Sequence, residues 1–450
     1  MSPRRLFASV TLVIMLGSLE KSIITTPLPI IEREMMAGQG LTWIVSSYLL
    51  AATAALPLYG KLSDQFGRVR LLNLALVLFM TGSLVCALAQ NLPQLLAARV
   101  LQGLGGGGLI ALAFTLIADT IPPREQGRYQ AYISAVYAVS SIAGPLLGGY
   151  CAEHLSWRAI FWINLPLGAL ALWLVNRHLG HLNVRRPSCF DWKGGALLIT
   201  ATTLTLLLLS PERHLPALWL TLALSGTLAL LVRVERCAQD PIVPARLTQR
   251  RDYLVSLLLI LIAQLLIFSL LVYLPLQLQW VEGLGADASG RVLAIFLICI
   301  TAGAFAGGRL ISHHPHYKGY VIGGFTLATV GLWLLHSGGR TGLGLSVAGV
   351  GLGLTLPVLS VAAYHCLAAS ERGIGLSLLG FGRELGGALG VAIGSALLHL
   401  RLPAGPLSHF TPAELTTGFS TTYAGMALIA LGALAMTLLT LTEHEPSPRV

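Results

Sequence analysis

Gly60-Lys61-Leu62-Ser63-Asp64-Gln65-Phe66-Gly67-Arg68-Val69-Arg70 separates two long apolar runs, 41–60 and 71–90. Read as a loop, it is short, basic and punctuated by glycine. Gly60 and Gly67 permit a tight turn. Lys61, Arg68 and Arg70 are the kind of charge that gathers between spanning helices on the cytoplasmic face of a membrane. Asp64 is the one acid in a positive loop, which points to a task of its own. The bland alternative is an ordinary basic connection between two membrane helices.

Working outward, the composition agrees with a membrane setting. Of 450 residues, 55% are hydrophobic and only 11% charged, and the mean hydropathy is +0.75. A soluble domain carries about 25% charged residues. The net charge of +10 would suit nucleic acid. One-sided basic loops explain it better, so no nucleic-acid partner is expected and the bilayer is the expected surroundings. The six cysteines are scattered, with no CxxC and no ligand-like spacing, so neither a disulfide nor a metal site is expected. Met1–Arg5 leads straight into an apolar run, which reads as a first span rather than a cleaved leader.

A spanning helix needs about 20 mostly apolar residues. Fourteen runs qualify: 6–28, 41–60, 71–90, 94–118, 128–150, 158–178, 194–210, 216–233, 252–277, 289–311, 319–337, 341–364, 374–399 and 419–441. With the N-terminus inside, 20 of the 29 Lys and Arg fall on the inner face, 6 on the outer, and Lys21, Arg99 and Arg383 lie within helices. That asymmetry places both termini in the cytoplasm, in the inner membrane. The polar stretches divide the chain into an N-terminal six-helix bundle, 1–178, a linker with two extra spans, 179–251, and a C-terminal six-helix bundle, 252–450. The extra pair reads as a spacer between the bundles.

Several charged residues sit where charge is costly, about 2.5–3.5 kcal/mol at the centre of a span. Glu20 and Lys21 lie in the first run. Adjacent residues on a helix point about 100° apart, so a self-neutralising Glu20–Lys21 pair has poor geometry. Glu20 lies about 21 Å along its helix, leaving about 9 Å of a core about 30 Å thick. Arg99 enters the fourth run from the outer side and is also about 9 Å deep. The two could share one level; outward snorkelling of Arg99 is the alternative. In the thirteenth run, Arg383 and Glu384 lie about 14 Å in, near the midplane. They suit a structural, gating or substrate role equally.

These stretches resemble the major facilitator superfamily, in its fourteen-helix drug:proton antiporter branch. The 60–70 stretch is similar to the loop that latches the two halves of such transporters on the cytoplasmic side. Leu19-Glu20-Lys21-Ser22-Ile23-Ile24-Thr25-Thr26-Pro27-Leu28-Pro29-Ile30-Ile31 resembles the branch's first-helix motif, with Glu20 for its aspartate, Thr25 for its asparagine and Lys21 where the family is neutral. Arg99-Val100-Leu101-Gln102-Gly103 resembles its buried arginine motif. Ser140-Ser141-Ile142-Ala143-Gly144-Pro145-Leu146-Leu147-Gly148-Gly149 resembles its antiporter motif, with Ser140 for the leading glycine. Proline there bends the helix; simple glycine packing is the other reading. Ser156-Trp157-Arg158-Ala159-Ile160-Phe161-Trp162-Ile163-Asn164-Leu165-Pro166 and Phe190-Asp191-Trp192 also match the branch. So do Tyr273–Gln279 and Arg383-Glu384-Leu385-Gly386 with Gly390. Gly308-Arg309-Leu310-Ile311-Ser312 stands where the latch should repeat, but Ser312 replaces the aspartate. His313, His314 and His316 read as a solvated loop rather than a metal site.

The resemblance implies an all-α polytopic protein of the major facilitator fold: two six-helix bundles related by a pseudo-two-fold, plus two central helices, with substrate bound between the bundles. It implies no enzyme activity and no cofactor, with protons as the coupling ion and a monomer acting on small lipophilic or cationic drugs. Glu20 and Arg99 would couple protons. Glu20, Lys21, Thr25, Gln102, Tyr137, Gln277, Arg383 and Glu384 would line the substrate cavity. Gly60, Asp64, Gly67, Arg68 and Asp119 would form the cytoplasmic latch, with Asp119 either pairing with Arg68 or solvated. Gly144, Pro145, Gly148 and Gly149 would form the antiporter motif. A proton-coupled metabolite transporter and a lipid or lysophospholipid flippase remain open on the same fold.

Overall fold

The computed structural model describes residues 3–35, 40–120, 123–179, 192–209, 216–237, 247, 249–313, 317–338, 341–367, 371–403 and 407–441. At some positions, among them 3–8, 60–61, 64, 118–120 and 123–131, only the backbone is described. Most of the segment 178–193, His314, His316 and both extreme termini lie outside these residues.

Every regular element among the described residues is helical. A bilayer offers the backbone no partner, so each segment must satisfy its own N–H and C=O groups. The helices are α1 Pro3–Ile23, α2 Leu28–Met35, α3 Leu41–Phe66, α4 Arg68–Leu88, α5 Leu92–Thr120, α6 Pro123–His154, α7 Ala159–Trp162 and α8 Asn164–Leu179. They continue as α9 Trp192–Leu209, α10 Ala217–Cys237, α11 Arg251–Trp280, α12 Ala286–His313, α13 Tyr317–His336, α14 Thr341–His365, α15 Arg372–Leu398 and α16 Pro412–Thr440.

Eleven described helical segments are long and apolar enough to cross a membrane, or twelve if the bent pair α1–α2 is one span. The expected fourteen is not reached by this measure among the described residues, where the apolar stretches counted for α3 and α9 are Leu41–Leu56 and Lys193–Leu209.

Two local expectations are corrected. The first run does not continue unbroken to residue 28. It stops at Ile23 and restarts at Leu28 after a 64° bend. Pro27 supplies no N–H, and proline crowds the preceding turn. Thr25 Oγ1 takes up the Ser22 carbonyl at 2.8 Å, and Ile31 N–H restarts the ladder on the Pro27 carbonyl at 3.0 Å. The far end of α2 is then held by Glu34. It accepts from Trp157 Nε1 at 2.6 Å and from Arg158, whose Nη2 also reaches the Ala89 carbonyl at 3.2 Å.

The second correction concerns 60–70. Helix α3 runs through Gly60, Asp64 and Phe66, and only Gly67 leaves the helical path. At 26 residues, α3 is about 39 Å long, more than a core of about 30 Å. Its charged end therefore needs no loop to reach water. Gly67 has φ 95, a conformation that suits glycine, and donates its N–H to the Ser63 carbonyl at 3.0 Å before α4 begins at once. In the same way α12 runs on through Gly308, Arg309 and Ser312 to His313.

The chain separates into two compact units: Met1–Leu204 with Glu282–Ala294, and Thr205–Val281 with Ile295–Val450. In the first, α5 packs between α3 and α4, and α1 packs against α6, α8 and α5. Glycines on α5 make this possible: a β-carbon at Gly107 would overlap the Ala52 carbonyl of α3, and one at Gly105 the backbone of α4 at Phe79. In the second unit α11 is the most enclosed span and packs against α14, α15 and α16. Tyr253, Ser269 and Tyr273 of α11 donate to the carbonyls of Gly375, Gly390 and Val391 on α15 at 2.6–2.7 Å. Helix α10 exposes Leu218, Trp219, Leu222, Leu228, Leu230 and Val232, a surface suited to lipid.

Candidate functional site

In the first unit, Glu20 of α1 and Arg99 of α5 meet in a direct ion pair, each with 0% of its side chain exposed. The sequence placed both at one depth, and the structure brings them together. Arg99 is held from three further directions. Its Nε donates to the Ile44 carbonyl of α3 at 3.0 Å, and its Nη1 also donates to Gln102 Oε1 at 2.6 Å. Its guanidinium lies 4.5 Å from the ring centroid of Tyr48 and 5.8 Å from that of Phe161. Such stacking suits a weakly hydrated guanidinium.

The pair belongs to a closed ring of hydrogen bonds. Gln102 Nε2 donates to Ser83 Oγ of α4 at 2.7 Å. Asn164 Nδ2, at the start of α8, donates to the same Ser83 Oγ at 3.2 Å and to Glu20 Oε2 at 2.7 Å. Five side chains from four helices thus link back to Glu20. Cys86 Sγ lies beside the ring, 3.7 Å from Gln102 Oε1. Breaking a buried ion pair by removing one partner costs about 3–5 kcal/mol, so the ring fixes these helices as well as the charges. Within it, Arg99 Nη2 and Asn164 Oδ1 have no hydrogen-bond partner.

Just past Glu20, α1 lies against the glycines of α6. A β-carbon at Gly144 would overlap the Ser22 hydroxyl, and one at Gly148 would overlap the Ile23 carbonyl and stand 2.7 Å from Thr26 Oγ1. Thr26 Oγ1 donates to the Pro145 carbonyl at 3.2 Å. On its other side α6 meets the first turns of α12. Gly149 lies against the Ala286 carbonyl, Gly290 against the Pro145 carbonyl, and Glu153 Oε2 accepts from the Asp287 N–H at 2.8 Å. The Gly-Pro stretch therefore lies between the break in α1 and the start of α12.

The other expected residues fall as follows. Lys21 is buried beside Glu20 in sequence, 7% exposed, and Thr25 is spent on the α1 break. Tyr137 is half-buried on α6. In the second unit, Gln277 accepts from Tyr423, and Arg383 Nη2 donates to Ser360 Oγ at 2.6 Å; Glu384 is half-buried beside it. Arg68 Nη1 donates to the Thr115 carbonyl near the end of α5 at 3.1 Å. The side chains of Asp64 and Asp119, and the surroundings of Gly60, lie outside the described residues.

Sequence reasoning missed Ser83, Cys86, Tyr48 and Phe161 as neighbours of the charge pair, and gave Asn164 no role. Asn164 had a signal: it stands alone as an amide in the quoted stretch 156–166. Ser83 and Cys86 had none, since small polar residues are common in membrane helices.

Comparisons with known proteins bear on the family and the fold. Residues 10–391 match the family model described as Major Facilitator Superfamily. The chain is 29% identical to "Multidrug resistance protein 3" of Bacillus subtilis over 399 residues, 84% of this chain and 76% of that protein. It is 32% identical to "Efflux pump dotC" of Dothistroma septosporum over 410 residues, 87% and 70% of the two chains. Among solved structures, a bacterial homologue of the human lysosomal transporter Spinster superposes with a TM-score of 0.69 at 15% identity, covering 98% of each chain. A D-xylose-proton symporter gives 0.68 at 15% identity, covering 98% and 99%. With a family match over most of its length and a shared fold, this multi-pass membrane protein belongs to the Major Facilitator Superfamily of transporters.

Proposed function

We propose that this chain exports small lipophilic or cationic molecules across the cytoplasmic membrane in exchange for protons, as a monomer of the fourteen-helix antiporter branch. Both termini are inside, and the bundles are 1–178 and 252–450, joined by 179–251. The observation that carries the reading is the sealed pair Glu20–Arg99. An intramembrane acid is a functional group by default, because its burial is expensive. Here it has a cationic partner that can hold its charge after the proton leaves, as a carrier requires. Relatives named for multidrug resistance and efflux, at about 30% identity, support the choice of cargo and direction.

In this reading, proton loss from Glu20 leaves a carboxylate that Arg99 and Asn164 retain, and cargo and proton compete for that state. Thr25, Lys21, Gln102, Tyr137, Gln277, Arg383 and Glu384 are the proposed cargo contacts. Asp64, Arg68 and Asp119 are the proposed inner latch, with Gly60 and Gly67 shaping it. The experiment is uptake of ethidium, a lipophilic cation, into everted membrane vesicles. Uptake is expected on energisation and should collapse on addition of a protonophore. Uptake that survives the protonophore overturns the proton coupling. Vesicles that move labelled lysophospholipid without a gradient, and no ethidium, would assign the fold to lipid flipping instead.

A further inference from the structure

One member of the Glu20 ring is not needed to neutralise charge. Arg99 already compensates Glu20, and Gln102 is fixed at both ends, its oxygen on Arg99 and its nitrogen on Ser83. Asn164 is different. It is 1% exposed, its Nδ2 serves two acceptors, and its Oδ1 serves no donor. A buried carbonyl left without a donor costs about 1–3 kcal/mol. Leucine has nearly the same shape and would avoid that cost. An asymmetric amide at this place therefore calls for a reason other than packing.

The carboxyl it touches supplies one. An ionised Glu20 only accepts hydrogen bonds, whereas a protonated Glu20 must also donate one. We propose that Asn164 is the positioning residue of the Glu20 carboxyl in both protonation states. Its amide donates to the carboxylate as seen here and, turned by half a rotation about Cβ–Cγ, accepts from the protonated acid. The turned amide puts Oδ1 where Nδ2 now stands, within reach of Glu20 Oε2 and of Ser83 Oγ. The Ser83 hydroxyl, which now accepts from Asn164, can then donate to it. Nδ2 takes the place of Oδ1, so the number of unpaired groups is the same in both states. The acid is held at one place and one depth whether or not it carries its proton. The titratable or charged side chains around it are Arg99 from α5, Cys86 from α4, Tyr48 from α3 through its stack on Arg99, and Lys21 on α1 itself. None of these can both give and take a hydrogen bond at Oε2 by turning an amide.

The inference rests on Glu20 exchanging a proton, so the test must separate the two ideas. The full chain in lipid vesicles is titrated by pH-difference infrared spectroscopy, following the C=O stretch of a protonated carboxyl. Loss of a titrating band in Glu20→Gln assigns that band to Glu20. Absence of any such band overturns the coupling reading itself. With the band assigned, Asn164→Leu is expected to move it to higher frequency, because the acid loses its acceptor. Glu20 should also hold its proton about tenfold more tightly, because the carboxylate loses a charge-assisted donor. A merely structural residue would leave the frequency of the acid band in place, and an unchanged band in Asn164→Leu overturns the proposal. If that variant does not insert, isosteric Asn164→Asp replaces it: the added acid competes for the same proton, so the Glu20 band must shift or split. A band identical to wild type overturns the proposal there too.

Discussion

Gly144 and Ser22 stand so close that a methyl group added to Gly144 would overlap the Ser22 hydroxyl and come within 2.9 Å of its β-carbon. Only Lys21 separates that contact from Glu20 along α1. The helix that bears the charge and the helix that bears Pro145 are therefore in contact through backbone and small side chains, with little to yield between them.

Gly144→Ala and Gly148→Ala should both weaken the protein and its transport. Overpacking costs about 1–3 kcal/mol. The loss should be greater at Gly148, whose obstacle is the Ile23 carbonyl rather than a side chain. Gly144→Ala should be partly relieved by Ser22→Gly, and Gly148→Ala should not. Gly226→Ala, with nothing within 4 Å, is the matched control. Thermal unfolding in detergent with ethidium uptake in vesicles reads both effects; equal tolerance at Gly148 and Gly226 would refute the packing account.

Glu20→Gln should abolish gradient-driven export, and Glu20→Asp should retain part of it. The amide also strands Arg99, so a loss of about 3–5 kcal/mol in stability should accompany it. Glu20→Gln with Arg99→Gln should recover stability without recovering transport. Substrate-induced proton release from purified protein is the deciding measurement. Release that persists undiminished in Glu20→Gln would show that another acid carries the proton, with Glu384 the next to test.

At the turn between α3 and α4, Gly67→Ala forces a side chain into a left-handed backbone, a strain of about 1–3 kcal/mol. It should lower the melting temperature. Asp64→Asn should leave insertion and melting temperature alone while slowing transport, since its proposed work is on the balance of states. Wild-type transport in Asp64→Asn would remove the latch role.

Both termini and position 185 should face the cytoplasm. A cysteine-free variant carrying Arg185→Cys should resist a membrane-impermeant maleimide in intact cells and react after the membrane is opened. Labelling from outside would break the fourteen-span topology.

Most helices were legible because apolar length is a bulk property of a segment. Depth along those helices, at a fixed rise per residue, was enough to bring Glu20 to the level of Arg99. Turn positions were harder. The stretch 60–70 reads as a loop because apolar length stops at residue 60 and glycines flank the charges, whereas a helix can carry charge beyond the bilayer. The break at residues 24–27 was written in Pro27 and its neighbouring threonines, yet apolar continuity hid it. The ring was not legible. Ser83 and Asn164 are 81 positions apart, and nothing local to either says which polar group will face it.

The closure of the ring around Glu20 also bears on waste. An acid open to water from both faces would be a wire, and each proton slipping through it would dissipate about 2.3 kcal/mol for every 100 mV of potential. Glu20 and Arg99 touch no solvent at all. No proton can reach this carboxyl until a helix shifts; α1 is held by close contact at Gly144 and Gly148, and α2 beyond its break by the hydrogen bond from Trp157 to Glu34. Proton exchange should then be as slow as that movement and as steep in temperature. Idle protein should leak little, even in a fully energised membrane.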